Sequence, residues 1–383
     1  ITVPSLAVEF NMSNIVQNWV TMIFFLAVAA VTVPAGQLSG KFGLKKTMLL
    51  GMVLFIISSV VCVFSISQEM FLICRIFQGV GAGFLNVAAM AMVVSAFKPQ
   101  DRGQAIGLTV VGVYLAISLS PVIGGFLNSL FGWRSIFYIT IPFLLICIAL
   151  LITKINKEWV TFADKPIDIK GSILYAIGIV LFIYGFTTLN EPSGIVLTVI
   201  GIIFIGIFVL TELKVKSPVF DVKLFKNIKF ASANFAAICG YLASMAIITI
   251  INYYLQYIRG LDSGQAGLIL LITPLLQVVM APISGRLSDR INPQILSAVG
   301  IACAGVGIAM ISSTTPNTPL PFLMFAMALQ GFGFGIFSSP NTNAIMGSVP
   351  PNLTPTASAS VSTMRVIGQT LSIGLFTLVF AFI

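Results

Sequence analysis

About twelve times between residue 19 and its last residue, this chain runs through some 20 predominantly apolar residues, enough to cross the hydrocarbon core of a bilayer as a helix. The runs lie roughly at 19–38, 45–67, 70–96, 104–130, 135–153, 171–189, 194–212, 230–257, 264–285, 294–313, 320–347 and 356–383. They are continuously apolar rather than alternating with period two, which points to helices and away from a β-barrel. Only 8% of residues are charged and 58% are hydrophobic; a soluble domain carries roughly 25% charged residues. The chain is therefore expected to be an all-α integral membrane protein. Ile1 to Val8 reads as the tail of a helix whose beginning is missing, and Asn11 to Asn18 as a polar loop. Ile383 closes an uncharged apolar run, so both ends are expected to be cut, leaving about twelve complete spans and one partial.

Two short stretches echo each other across the chain. One is Gly36-Gln37-Leu38-Ser39-Gly40-Lys41-Phe42-Gly43-Leu44-Lys45-Lys46, the other Gly285-Arg286-Leu287-Ser288-Asp289-Arg290. Each joins two apolar runs, follows a proline (Pro34, Pro282) and closes its hexapeptide on a base, Lys41 or Arg290. Such an echo suggests a duplicated membrane architecture. Counting bases on alternating loops tests the segmentation. One side collects Lys41, Lys45, Lys46, Lys98, Arg102, Lys154, Lys157, Lys165, Lys170, Lys214, Lys216, Lys223, Lys226, Lys229, Arg286 and Arg290; the other collects only Arg134 and Arg259. By the positive-inside rule, both hairpins are cytoplasmic. The net charge of +9 thus reports topology, and no nucleic-acid partner is expected.

Two inside loops, Lys154–Lys170 and Glu212–Lys229, bracket the spans at 171–189 and 194–212, which read as a two-helix insertion. The expected organisation is an N-terminal bundle over 1–153, an inter-bundle segment over 154–229 and a C-terminal bundle over 230–383. Five cysteines stand singly in apolar runs and there is no histidine. Neither a disulfide framework nor a metal site is indicated, and a His-based relay is excluded within these residues. No phosphate-binding Gly-x4-Gly-Lys-[Ser/Thr] loop occurs, which favours a gradient over ATP, and no nucleophile–base pair suggests an enzyme. No cofactor is expected.

These stretches together resemble the major facilitator superfamily, in particular its fourteen-helix drug:proton antiporter branch. Gly36, Leu38, Lys41, Gly43, Lys45 and Lys46 match the family's hairpin signature G-x-L-a-D-r-x-G-r-[KR], while Gly40 stands where the family usually has Asp. The second hairpin keeps its acid, Asp289. Leu72 to Gly83 resembles the helix-4 signature, with Arg75, Gln78 and Gly79 in register. Gly107, Pro121, Gly124 and Gly125 fit the helix-5 antiporter signature, with Ala116 and Ser120 at two of its glycines. Gly132-Trp133-Arg134 is similar to the usual loop entering helix 6. The resemblance implies two six-helix bundles with the two-helix insertion between them, rocking by alternating access. It also implies a cytoplasmic charge network holding one conformation, here resting more on Asp289, and an acid in the first half of helix 1, ahead of Ile1.

For single residues the sequence leaves alternatives open. Arg75, about six residues inside its span, faces a cavity or partner, or snorkels to the outer interface. The small residues along 107–125 let helices approach closely, for packing or for a sliding seam. Lys45 and Lys46 are topological anchors or parts of a latch. Asn86, Tyr114, Tyr241, Asn252, Gln277, Asn341, Asn343 and Arg365 are cavity candidates near the midplane, or interhelical hydrogen-bonding groups. Every acid falls at or near a loop, so no cavity carboxylate is visible.

The expected function is a monomeric secondary exporter of the cell membrane, moving small hydrophobic or cationic compounds outward in exchange for protons. The alternatives are a dedicated exporter of one metabolite, lipid or antibiotic, and a transporter-like sensor or lipid scaffold without coupled transport.

Overall fold

Over the described residues the expected spans fall largely on helix in the computed structural model, which describes residues 3–381 apart from Lys165; for 4, 14, 15, 18, 121, 122, 245, 263 and 376–381 only the backbone is described. Lys165 of the base count and the terminal Ile1 and Ile383 thus lie outside the described residues, as does the side chain of Pro121. The helices are α1 (Val3–Glu9), α2 (Asn14–Phe42), α3 (Leu44–Val63), α4 (Gln68–Ala96), α5 (Arg102–Phe131), α6 (Arg134–Lys154), α7 (Ile169–Thr187), α8 (Pro192–Glu212), α9 (Ile228–Tyr253), α10 (Ser263–Leu270), α11 (Ile272–Leu287), α12 (Pro293–Ser312), α13 (Leu320–Gly347) and α14 (Thr354–Ala381). Among the described residues there is no strand, and 11 helical stretches are long and apolar enough to cross a membrane. An all-helical answer is what lipid demands, because a helix satisfies its own amides and carbonyls.

Two local expectations need correcting. The loop expected at Asn11–Asn18 is shorter: Ser13 Oγ accepts the Val16 amide at 3.4 Å, and this cap starts α2 at Asn14. The span expected at 264–285 is broken at Leu271 into α10 and α11. At its start Asp262 accepts the Gly264 and Gln265 amides (2.8 and 2.9 Å) in a capping box.

The chain forms two compact units, one from Ile1–Met92, Ser120–Lys223 and Pro350–Val366, the other from Val93–Leu119, Leu224–Val349 and Ile367–Ile383. Helices α5 and α14 each contribute to both.

In the first unit, Gly132 ends α5 at φ 74, a left-handed conformation cheap only for glycine, and so drops Trp133 inward. The indole packs edge-on against Phe71 (5.5 Å) and Phe137 (6.0 Å) in a cluster with Leu6, Met12 and Val20. Glu9 closes this cluster: it accepts from Trp133 Nε1 at 2.7 Å and pairs with Arg134 at 2.6 Å, while Arg134 Nε donates to Val63 O at 3.0 Å. The inserted helices α7 and α8 meet along glycines. A Cβ on Gly178 would lie 3.1 Å from the Ile205 amide, and Gly185 and Gly201 stand against the backbone of Thr198 and Phe182. The pair docks on α2 through Tyr175, whose buried hydroxyl donates to Ala29 O at 3.1 Å.

The second unit repeats the device. Gly300, Gly307 and Gly333 bring α12 and α13 into backbone contact, and a Cβ on Gly331 would meet Thr273 Cα of α11 at 2.9 Å. Ser284 Oγ donates to Gly335 O at 2.9 Å across the same seam.

The Arg134 guanidinium, followed by the Trp133 indole, holds the Glu9 carboxyl below the ordinary carboxylate range. A carboxylate with a lowered folded-state value stabilises above its unfolded value and loses that contribution as pH falls. Glu9→Gln is therefore expected to lower the neutral-pH melting temperature slightly, by about 0.2–1 kcal/mol for so exposed a pair. Melting curves of the two proteins should draw together as the pH falls below the ordinary glutamate range.

Candidate functional site

The two echoing hairpins are the places where chemistry and close helix approach coincide. In the second, α11 ends in Gly285-Arg286-Leu287 and the chain turns through Ser288-Asp289-Arg290. Asp289 reaches the start of α5, where Oδ1 accepts the Gly103 amide at 2.6 Å and Oδ2 the Gln104 amide at 2.9 Å. The first amides of a helix have no partner within it and carry partial positive charge, so a carboxylate there is stabilised twice. Gly103 and Gly107 make the approach possible: a Cβ on Gly107 would stand 2.7 Å from Ala281 O and 3.3 Å from Gly285 Cα. Asn343 of α13 steadies the turn from behind, donating to Ser288 Oγ at 2.9 Å. Arg290 and Arg286 are exposed.

The first hairpin is built differently. Gly36 lies against α14, where a Cβ would meet Ala359 Cβ at 2.9 Å and Pro355 O at 3.2 Å, and Leu38 packs beside it. At Gly40, the space a carboxylate would need is filled by the ring of Phe162. The segment after α6 is laid over the hairpin as a strap: Gly40 O accepts the Thr161 and Phe162 amides (2.9 and 3.2 Å), and Trp159 O accepts the Leu44 amide at 3.1 Å. Glu158, on this strap, accepts the Lys45 amide (2.8 Å) and the Lys46 amide (3.2 Å), and so caps α3. Glu158 thus caps α3 from more than a hundred positions away, as Asp289 caps α5 from the second hairpin. Lys45 Nζ donates to Ile155 O, Lys41 is half-buried and Lys46 is exposed. Gly43 turns at φ 105, where a side chain would be strained and would meet Glu158.

Within the spans, Arg75 is partnered. Its Nε donates to Val20 O at 3.1 Å, an Nη donates to Gln78 Oε1, and the guanidinium lies 4.5 Å from the Phe24 ring centroid. Gln78 passes the chain on, donating to Ser59 Oγ at 2.8 Å. Gly79 lets α4 close on α2, with a Cβ position 2.8 Å from Ala27 Cβ.

The structure gathers some expected residues and leaves others apart. Along the helix-5 signature, Gly107 forms a seam, whereas no described residue of another helix comes within 4 Å of the Cβ position of Gly125. Gly124 is half-buried and Ser120 is exposed. Among the cavity candidates, Asn341 donates to Ala233 O at 3.0 Å and ties α13 to α9, as Asn343 ties α13 to the second hairpin. Asn252 accepts from Gln256 at 2.7 Å. Tyr114 and Gln277 are buried, Tyr241 packs edge-on against Phe334 at 5.7 Å, Arg365 is half-buried and Asn86 is exposed. A cavity of about 570 Å³ on the α3–α4 face is lined by Leu54, Ile57, Ile73 and Phe77, with Ser58 its one hydroxyl. The strap acid Glu158 and the strap ring Phe162 escaped sequence reading. The glycine at position 40 was the signal that something else must fill the space.

The chain belongs to the Major Facilitator Superfamily, whose family model matches residues 1–373. It is 31% identical over 382 residues to the riboflavin transporter RibZ of Clostridioides difficile, covering 99% of this chain and 83% of that one. It is 27% identical over 366 residues to multidrug resistance protein 3 of Bacillus subtilis, covering 94% and 71%. The fold matches that of the proton:xylose symporter XylE with a TM-score of 0.65 at 15% identity, covering 100% and 89%. The protein is thus a multi-pass membrane transporter and not an enzyme.

Two outcomes follow for the hairpins. Gly40→Asp is expected to displace Phe162 and free the 157–163 strap for proteolysis, and adding Phe162→Ala should restore the melting temperature in part. Asp289→Ala should cost about 0.5–2 kcal/mol through the lost cap on α5, read as a lower melting temperature in detergent.

Proposed function

We propose that this transporter is a proton-driven exporter of small hydrophobic or cationic compounds in the cell membrane, of the fourteen-helix drug:proton antiporter type. One observation carries the reading: on the base-rich side, both hairpins clamp helix seams between the first and second halves of the sequence, α2 on α14 at Gly36 and α5 on α11 at Gly107. Alternating access needs seams of this kind, close-packed through small residues and therefore able to slide or part without leaving large side chains exposed. Asp289 on the start of α5 is the electrostatic part of that clamp. The insertion α7–α8, packed on α2, supplies the two helices beyond twelve. Arg75 is the switch residue: its bonds to Val20 O and Gln78 join α4 to α2 within the membrane. A charge there costs about 2.5–3.5 kcal/mol on insertion scales, so its retention has a functional rationale. Substrate breadth is supported by the sparsely polar spans and by the multidrug resistance relative.

A second reading is a carrier for a single metabolite. The relative named as a riboflavin transporter favours it, being 31% identical across 99% of this chain, and so do the asparagines and tyrosines of the second unit.

The two separate in proteoliposomes. With an imposed proton gradient, ethidium movement that an uncoupler abolishes supports the first reading. Gradient-dependent movement of riboflavin with none of ethidium or other dyes supports the second, and no gradient-dependent movement of either sinks both. Arg75→Ala is expected to insert normally and to lose at least tenfold in transport rate; an unchanged rate removes Arg75 from the mechanism.

A further inference from the structure

At the base-rich end of the inserted pair, α7 begins where α8 ends, and each terminus carries an acid. Asp168 is the N-cap of α7, its Oδ1 accepting the Gly171 amide at 2.7 Å. Glu212 is the last residue of α8, only 2% exposed, its Oε2 accepting the Phe220 amide at 3.1 Å. The other two oxygens, Asp168 Oδ2 and Glu212 Oε1, are buried and receive no donor from any described residue. Both crowd one point: a Cβ on Gly171 would overlap Glu212 Oε1 and lie 2.8 Å from Asp168 Oδ2. Among the described residues, no lysine or arginine forms an ion pair with either acid.

Two ionised carboxylates cannot face each other out of water without large repulsion, and two acceptors cannot satisfy each other. One proton resolves both problems, turning the repelling contact into an O–H···O⁻ hydrogen bond. We propose that Asp168 and Glu212 form a one-proton binding site, with the proton carried on Glu212 Oε1 and donated to Asp168 Oδ2.

The helix ends decide which partner holds it. Asp168 sits at an N-terminus, where unpaired amides and the macrodipole favour the anion; Glu212 sits at a C-terminus, where the macrodipole disfavours it. The proton comes from water on the base-rich side and returns there, and the pair alternates between net charges of −1 and −2. The charged groups lining the same cavity as Glu212 are Lys216, Asp221 and Lys223, all on the segment after α8; α2 contributes Gln37, the strap Phe162, the approach to α14 Leu353 and α14 itself Thr356, none of them titratable.

Protonation has a mechanical consequence. Gln37, inside the first hairpin, accepts the Asp168 amide at 3.1 Å and donates to Ser217 O and Pro218 O at 3.4 and 3.3 Å. The proton therefore fastens the 213–221 segment, the foot of the insertion and the first hairpin into one body, and its loss pushes them apart. This site stands on its own geometry and does not depend on what is transported.

Infrared spectroscopy of the whole protein in nanodiscs tests it. Wild-type protein should show a protonated carboxyl C=O band that disappears as pH is raised and that shifts with 13C-glutamate but not with 13C-aspartate. No titrating band overturns the site, and a band that moves with labelled aspartate overturns the assignment to Glu212. Glu212→Gln keeps the donated hydrogen bond and should fold with the band gone; a band retained in this variant also overturns the proposal. Asp168→Asn should displace the band's pH midpoint, and an unmoved midpoint shows that the two acids do not share a proton.

Discussion

Long apolar helices leave a debt of unpaired amides at each N-terminus, and the base-rich loops of this protein settle it with carboxylates. Asp289 covers the start of α5, Glu158 the start of α3 and Asp168 the start of α7. In a chain with only 11 acidic residues, three set on helix starts are a large share. Each also joins pieces far apart in sequence, so the caps act as fasteners. Asp289 brings the second hairpin to α5, and Glu158 brings the strap to the first hairpin. Asp168, through Gln37 and Glu212, brings the insertion to α2 and to the segment that follows α8.

Glycine provides the geometry these fasteners need. Gly36 on α14, Gly103 and Gly107 on α11, and the glycine seam of α7 with α8 place helices at backbone contact, where any side chain would force them apart. Close contact through small residues packs well and resists motion weakly, because no interlocked side chain must climb over another. The same seams serve a stable membrane bundle and are of the kind that the proposed alternating access requires. The electrostatic clasps, which can be broken singly, are better placed to choose between shapes.

Much of this was legible beforehand. The helical spans follow from hydropathy, since lipid acts on each segment locally. Arg75 could be marked as needing a partner on insertion energetics alone, and the structure supplies Val20 O, Gln78 and the Phe24 ring. The acids misled. Reading them as loop residues was correct in position and blind to environment: Glu212 is at the edge of a loop and 2% exposed. Burial of that carboxylate depends on the segment that folds back over it, and no local pattern records this.

The amino-acid sequence by itself determined that the chain crosses a membrane about a dozen times as helices and that two hairpins repeat. It did so because each of those properties is a sum over consecutive residues. Only the tertiary structure decided what the repeats grip and what stands in for a missing group: that Phe162 fills the place of a carboxylate at Gly40, that Glu158 caps α3, and that Asp168 meets Glu212. Those outcomes rest on contacts between residues tens to hundreds of positions apart, set by how helices pack, and packing is a property of pairs of surfaces rather than of any one stretch of chain.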